Sequence, residues 1–194
     1  YPFFEKRSTD TFVDRNFNDI FRTRVFLNNS VQVSGGSDRS QFFLSLGRLD
    51  HDGIIESSYF DKTNFTFNAT SQLSDWLTVK AKANYVNSEA NRINQNSNVA
   101  GLYIGLLRTP PDFYNRYYRG TYIDETGLAF NNRHRAYRNP LGASASPAYN
   151  NPLWTVNEQR ALTRVNRLIA SSEMNITPVN WLVFTLRGGV ELGR

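Results

Sequence analysis

A chain of 194 residues with no cysteine excludes a disulfide framework and a thiolate metal site, and no apolar run approaches the roughly 18 residues a membrane-spanning helix needs. With 40% apolar and 14% aromatic residues, it is too aromatic for a disordered chain and too polar for a helical membrane protein. The net charge of +5 is scattered instead of gathered in blocks, which argues against nucleic acid as a partner.

No basic stretch followed by an apolar one stands at Tyr1, so either a signal peptide has been removed or, the favoured expectation, the chain begins inside a longer gene product. Beyond a leader at 1–22, period-two alternation appears six times. In Thr23–Gly35, Val25, Leu27, Val31 and Val33 alternate with polar residues, with Phe26 and Asn29 as exceptions. After the turn at 35–39, Phe42, Leu44 and Leu46 oppose Gln41, Ser45 and Gly47, with Phe43 out of place. Lys62–Leu73 sets Phe65, Phe67 and Ala69 against Thr66 and Asn68. Leu77–Ser88 sets Val79, Ala81, Ala83 and Tyr85 against Lys80, Lys82 and Asn84. Residues 89–160 break the pattern. It returns in Val165–Ile176, where Leu168, Ala170, Met174 and Ile176 oppose Arg167, Ser171, Glu173 and Asn175, with Ile169 out of place. In Leu182–Gly193, Leu182, Phe184, Leu186, Val190 and Leu192 oppose Thr185, Arg187 and Glu191.

Each segment is about the 9 to 11 residues that a tilted strand needs to cross a bilayer, longer than the roughly 5 to 6 of ordinary strands. The turns at 35–39, 74–76 and 177–181 are short; the connections at 50–59 and 89–160 are long, as is the leader. In an antiparallel meander this places every short turn on one side and every long connection on the other, the asymmetry of outer-membrane barrels. A soluble β-sandwich has no reason to sort its loops so. The short turns around Trp76 and Trp181 echo each other in sequence, as residues of an interfacial aromatic girdle or as caps beside a turn. Inside 89–160, Val99, Leu102, Tyr103 and Leu106 fall at i, i+3, i+4 and i+7 before Pro110-Pro111, which predicts a short amphipathic helix.

Asn18-Asp19-Ile20-Phe21-Arg22, Asn29-Ser30-Val31-Gln32-Val33-Ser34-Gly35-Gly36, Ser45-Leu46-Gly47-Arg48-Leu49-Asp50, Gly53-Ile54-Ile55, Asn151-Pro152-Leu153-Trp154 and Trp181-Leu182 follow in an order that resembles the SusC/RagA family of TonB-dependent transporters. The resemblance implies an all-β fold, a 22-stranded transmembrane antiparallel up-and-down barrel occluded by a plug, in the bacterial cell outer membrane. It further implies import of glycan or peptide fragments, with a SusD-like surface lipoprotein as lid and energy from TonB through the plug. Residues 1–194 then correspond to early barrel strands, and 89–160 to a long extracellular loop. Six strands are fewer than the eight of the smallest barrels, so the barrel is expected to be completed by further polypeptide.

No enzyme, cofactor or metal is expected. His51 and His134 stand in separate loops, and no HExxH, GxSxG or phosphate-cradling motif occurs. The acid pairs Asp50 with Asp52 and Asp124 with Glu125 read as solvated charge, and calcium at Asp50, Asp52 or Glu56 lacks a full ligand set. The ligand-contact candidates lie in the aromatic tract of the long loop: Tyr117, Tyr118, Arg119 and Trp154, with Phe113, Tyr114, Arg116, Tyr122, Tyr137 and Tyr149 nearby. Aromatic faces stack on sugars and arginine forks meet carboxylates or peptide carbonyls, although such residues also serve simply to fold a long loop. Lys80, Lys82, Glu173 and Arg187 are expected to face the lumen of the barrel, and the apolar faces of the strands to meet membrane lipid. The competing reading is a secreted β-sandwich carbohydrate-binding module, in which the apolar faces would meet across a core.

Overall fold

A computed structural model describes residues 16–111, 113–145 and 147–194; the first fifteen residues of the expected leader lie outside the described residues. The described chain divides into two compact units, one of residues 25–52, 59–91 and 162–194, the other of residues 16–24, 53–58 and 92–161.

The first unit is a single sheet. Its strands are β1 (Phe26–Gly36), β2 (Ser40–Asp52), β3 (Tyr59–Ser74) and β4 (Leu77–Asn91), followed after the long connection by β7 (Leu162–Val179) and β8 (Leu182–Gly193). Their order is β1-β2-β3-β4-β7-β8, every neighbouring pair antiparallel. This is the meander predicted from loop parity; the two facing sheets of a sandwich are absent among the described residues. The fold is all-β, in the up-and-down arrangement expected of a barrel segment. The strands run from 11 to 18 residues; β3, β4 and β7 outrun the alternation because ladder pairing continues past its ends, β8 has the expected bounds, and β1 starts at Phe26 instead of Thr23.

Register decides which residues share a face, since a one-residue slip would invert each strand. Val33, Leu44, Phe67, Ala83, Ala170 and Val190 form one cross-strand row, and Val31, Leu46, Phe65, Tyr85, Leu168 and Leu192 the next. The opposite face carries Asn68, Lys82 and Ser171 in one row and Thr70, Lys80, Glu173 and Arg187 in another. Phe43 and Ile169, two of the four exceptions to alternation, do lie on the polar face, beside Asn68 and Asn84 respectively. Phe26 meets His51 edge-on, with ring centroids 5.2 Å apart.

The short turns have local causes. Gly36 ends β1 at φ 157°, where an added Cβ would overlap the Ser40 carbonyl oxygen. The two Trp-bearing turns are alike in geometry as well as in sequence. A register shift precedes each, between Gln72 and Ser74 and between Ile176 and Val179, and re-aims the strand before it reverses.

The second unit is built largely from the long connection that the sequence places at 89–160. β4 extends through Asn91, so the connection starts at residue 92. It holds α2 (Leu102–Arg108), a hairpin of β5 (Arg119–Ile123) with β6 (Ala129–His134), and α3 (Pro152–Glu158); α1 (Asn16–Ile20) joins from the leader. The predicted helix is α2, shifted so that Val99 precedes it and stays exposed. Ile20, Ile55, Ile93, Leu102, Leu153 and Val156 form the unit's core, drawn from all three of its segments. Residues 20–22 run beside 54–56, with Arg22 N donating to Ile54 O at 2.8 Å and Glu56 N donating to Ile20 O at 3.1 Å.

Candidate functional site

Two arrangements carry the candidate residues, one in each unit. On the polar face of the sheet, Glu173 on β7 lies between Lys80 on β4 and Arg187 on β8. Lys80 Nζ donates to Glu173 Oε1 at 2.9 Å and Arg187 Nε to Oε2 at 2.7 Å. Asn175 Nδ2 also donates to Glu173 Oε1 at 3.0 Å, and Thr185 Oγ1 donates to Asn175 Oδ1 at 2.8 Å. Neighbouring strands bring opposite charges directly opposite one another, which is why residues 93 apart in sequence pair. Lys82, the fourth residue named from the sequence, shares this face between Asn68 and Ser171.

In the other unit, the aromatic tract is not one cluster. Tyr118 meets Trp154 edge-on at 6.4 Å, and the Arg119 guanidinium lies 5.7 Å from the Tyr118 ring centroid while pairing with Glu158 at 3.3 Å. Three of the four ligand-contact candidates are thus brought together. Tyr117 is not among them: it packs on Tyr114 at 4.7 Å and is 66% exposed. Phe113 pairs with Tyr137, and Tyr122 with Phe130 across the hairpin. Arg116 binds Asp19 through Nε at 3.0 Å, and that carboxylate holds the guanidinium pKa above its usual range.

The central member of the cluster is His134, which the sequence reading set aside as an isolated loop histidine. At the end of β6 it lies flat on Trp154, and its Nε2 accepts from Asn151 N at 3.1 Å. An acceptor Nε2 leaves the proton on Nδ1. Burial lowers its pKa from 6.5 to about 4, so the ring is neutral. Around it runs a ladder of buried amides: Asn151 Nδ2 donates to Asn115 O at 3.0 Å, Asn115 Nδ2 to Asn16 Oδ1 at 2.7 Å, and Asn16 Nδ2 to Thr109 O at 2.8 Å. Such a ladder fixes three separate segments around the aromatic pair without any charge to desolvate. The hint in the sequence was Asn151-Pro152, an N-cap followed by proline; Asn151 Oδ1 does accept from Leu153 N, opening α3.

Elsewhere, Asp124 closes the β5–β6 turn. The Thr126 hydroxyl and the Leu128 and Thr126 amides donate to it and hold its carboxyl below the usual range. Arg48 takes Asp50 and Arg22 takes Glu56, so two of the acids considered for calcium are held in ion pairs. Among the described residues, no three acidic or histidine side chains gather as a metal site.

No family model and no curated protein matches the chain. Solved structures similar to the chain include the RagAB peptide importer in its closed-closed state and the RagAB peptide transporter. Each aligns with a TM-score of 0.65 and 17% identity over 95% of this chain. The chain spans 19% of the length of the chains it matches. At this identity the likeness establishes a shared fold, that of part of a much longer transporter chain.

Proposed function

We propose that the chain forms early strands of an outer-membrane TonB-dependent importer, its apolar face toward lipid and its polar face toward the lumen. The observation that carries this reading is a bare apolar band with defined edges. Val31, Leu46, Leu186 and Val190 are each about half exposed or more. A contiguous apolar surface of this kind is foreign to soluble monomers, which keep such patches to a few hundred Å².

On β4 the band runs from Leu77 to Tyr85. That is about 27 Å along the strand, or about 20 Å of depth at a tilt near 40°, close to the ~25 Å apolar belt of outer-membrane barrels. Trp76 stands at one edge and Tyr85 at the other, as in an aromatic girdle. Past Tyr85 the same face turns polar: the next row is Thr63, Asn87 and Asn166, and the one after it Asp61, Glu89 and Arg164. There Tyr59 and Arg164 both donate to Glu89, at 2.6 and 2.8 Å, so the charges sit beyond the band.

In this reading residues 53–58 and 92–161 lie on the extracellular side, where they meet the cargo and a SusD-like lipoprotein lid; TonB acts through a plug domain. The RagAB neighbours favour a peptide over a glycan as cargo. Tyr118, Arg119 and Trp154 are the contact residues we assign on the loops, and Lys80, Lys82, Glu173 and Arg187 those that set the field in the lumen.

The test compares two adjacent substitutions. A lysine facing mid-bilayer costs about 2 to 4 kcal/mol, so Ala81→Lys lowers the yield of folded, membrane-inserted protein while Lys82→Ala leaves it near the parent value. Equal yields from the two variants would overturn the assignment of faces.

A further inference from the structure

Residues 92–161 carry eight arginines, no lysine and four carboxylates. The described carboxylates of this unit are largely engaged elsewhere: Asp19 by Arg116, Glu56 by Arg22, Glu158 by Arg119, and Asp124 by its own turn. Two exposed arginines have a different kind of partner. The guanidinium carbons of Arg108 and Arg138 each lie 5.5 Å from the centroid of one ring, that of Tyr149. Among the described residues, neither has a carboxylate at ion-pair distance.

This pair is held by construction. Arg108 closes α2, and Tyr149 is brought beside that helix because Gly105 lets the backbone of Asn150 approach, its carbonyl oxygen 2.6 Å from where a Cβ would stand. Asn150 N is further tied to Val99 O at 2.9 Å, and Tyr149 is 4% exposed, so the ring is packed in place. Arg138 belongs to a reversal in which Ala136 and Asn139 exchange backbone hydrogen bonds at 3.2 and 2.8 Å. Asn139 Nδ2 locks that reversal by donating to the carbonyls of His134 and Ser144, at 2.8 and 2.9 Å. Two like charges are therefore fixed around one aromatic ring, within twice 5.5 Å of each other. Arg108 has a partial explanation as a cation at the carbonyl end of a helix; Arg138, which lies in no helix, lacks that one. A guanidinium held near a ring by cation–π attraction spends none of its N–H donors on that ring, and the donors of two such groups suit the oxygens of one anion.

We propose that Arg108 and Arg138, seated on Tyr149, form an oxyanion-binding site for a carboxylate, phosphate or sulfate group. It stands on the loop unit alone and does not depend on the transport reading. Arginine suits this place better than lysine, because its planar guanidinium carries five N–H donors in a fork that matches an oxyanion.

Phenylglyoxal modification of the detergent-solubilised protein, read arginine by arginine through peptide mass spectrometry, tests this. Inorganic phosphate, titrated at ionic strength held constant with sodium chloride, slows modification of Arg108 and Arg138 by about fivefold or more with a shared midpoint and leaves Arg160 unchanged, as expected for a charge-assisted, two-armed contact. Arg138→Gln removes the protection at Arg108. A second arm replaces phosphate by phosphatidylglycerol in mixed micelles: protection there alone assigns the oxyanion to a lipid headgroup, and protection by phosphate assigns it to a soluble ligand. The site is refuted if neither probe protects the pair, if Arg160 is protected equally, or if Arg108 stays protected in Arg138→Gln.

Discussion

The imidazole of His134 and the indole of Trp154 lie 4.3 Å apart between centroids and 11° from parallel, on a histidine that is 5% exposed. The stack requires a neutral ring, because charging His134 would bury a cation and would also put a proton on the Nε2 that accepts from Asn151 N.

The first prediction follows from that pairing. The His134 pKa falls from 6.5 in the unfolded chain to about 4 in the folded one, so the unfolded state binds more protons between these values. The stabilisation from neutral His134 is complete above pH 6.5 and is lost as pH falls toward 4. Its size, from the linkage of 1.36 kcal/mol per unit, is about 3 kcal/mol for the loop unit. Hydrogen exchange of the α3 amides should accelerate over this window, and His134→Phe should flatten the response. A His134 Cε1 resonance that titrates with a midpoint at 6 or above would contradict it.

Facing can be read residue by residue. Phe67 and Thr66 are neighbours on β3 that pair with Ala83 and Asn84, on opposite faces. In membrane-embedded protein, Phe67→Cys should resist a membrane-impermeant maleimide and react with a lipid-soluble one, and Thr66→Cys should react with the impermeant reagent. The reverse pattern places the apolar face in water and refutes the importer reading.

Gly105 is a packing requirement. Its missing side chain admits the Asn150 carbonyl, so Gly105→Ala, although it favours helix, should force α2 and the 149–151 segment apart at a net cost of about 1 to 3 kcal/mol. Local exchange free energies in residues 102–108 measure this. A stabilised variant would mean that the segment yields without strain.

Asn151 is fully buried and serves three partners: it caps Leu153 N, donates to Asn115 O, and offers its backbone N–H to His134. Asn151→Ala should cost about 2 to 4 kcal/mol, from a lost cap and an orphaned buried carbonyl. Asn151→Asp keeps the cap acceptor but not the donor to Asn115 and should fall between the two in thermal unfolding of the loop unit. Equal stability of all three proteins would remove the amide ladder as an organising element.

Six strands, their order and the identity of each face were legible in the residues themselves. Period-two alternation is local, and the lengths of the connections set the parity of the turns. Even Phe43 and Ile169, which interrupt the pattern, could be placed correctly, because the residues on either side of them hold the register. Strand ends were less legible, since pairing runs on through polar positions such as Glu89 and Asn91 that carry no apolar signal.

The loop unit was closed to such reading. Its core joins Ile20, Ile55, Ile93 and Val156 across segments far apart in sequence, with no period to betray a shared interior. His134 stands in a run of arginine and asparagine, and only the fold lays it on Trp154 and lowers its pKa. Tyr117 and Tyr118 are adjacent and chemically identical in sequence, yet one packs against Trp154 and the other is exposed, because the direction a side chain takes from an irregular backbone is set by what the rest of the chain places against it.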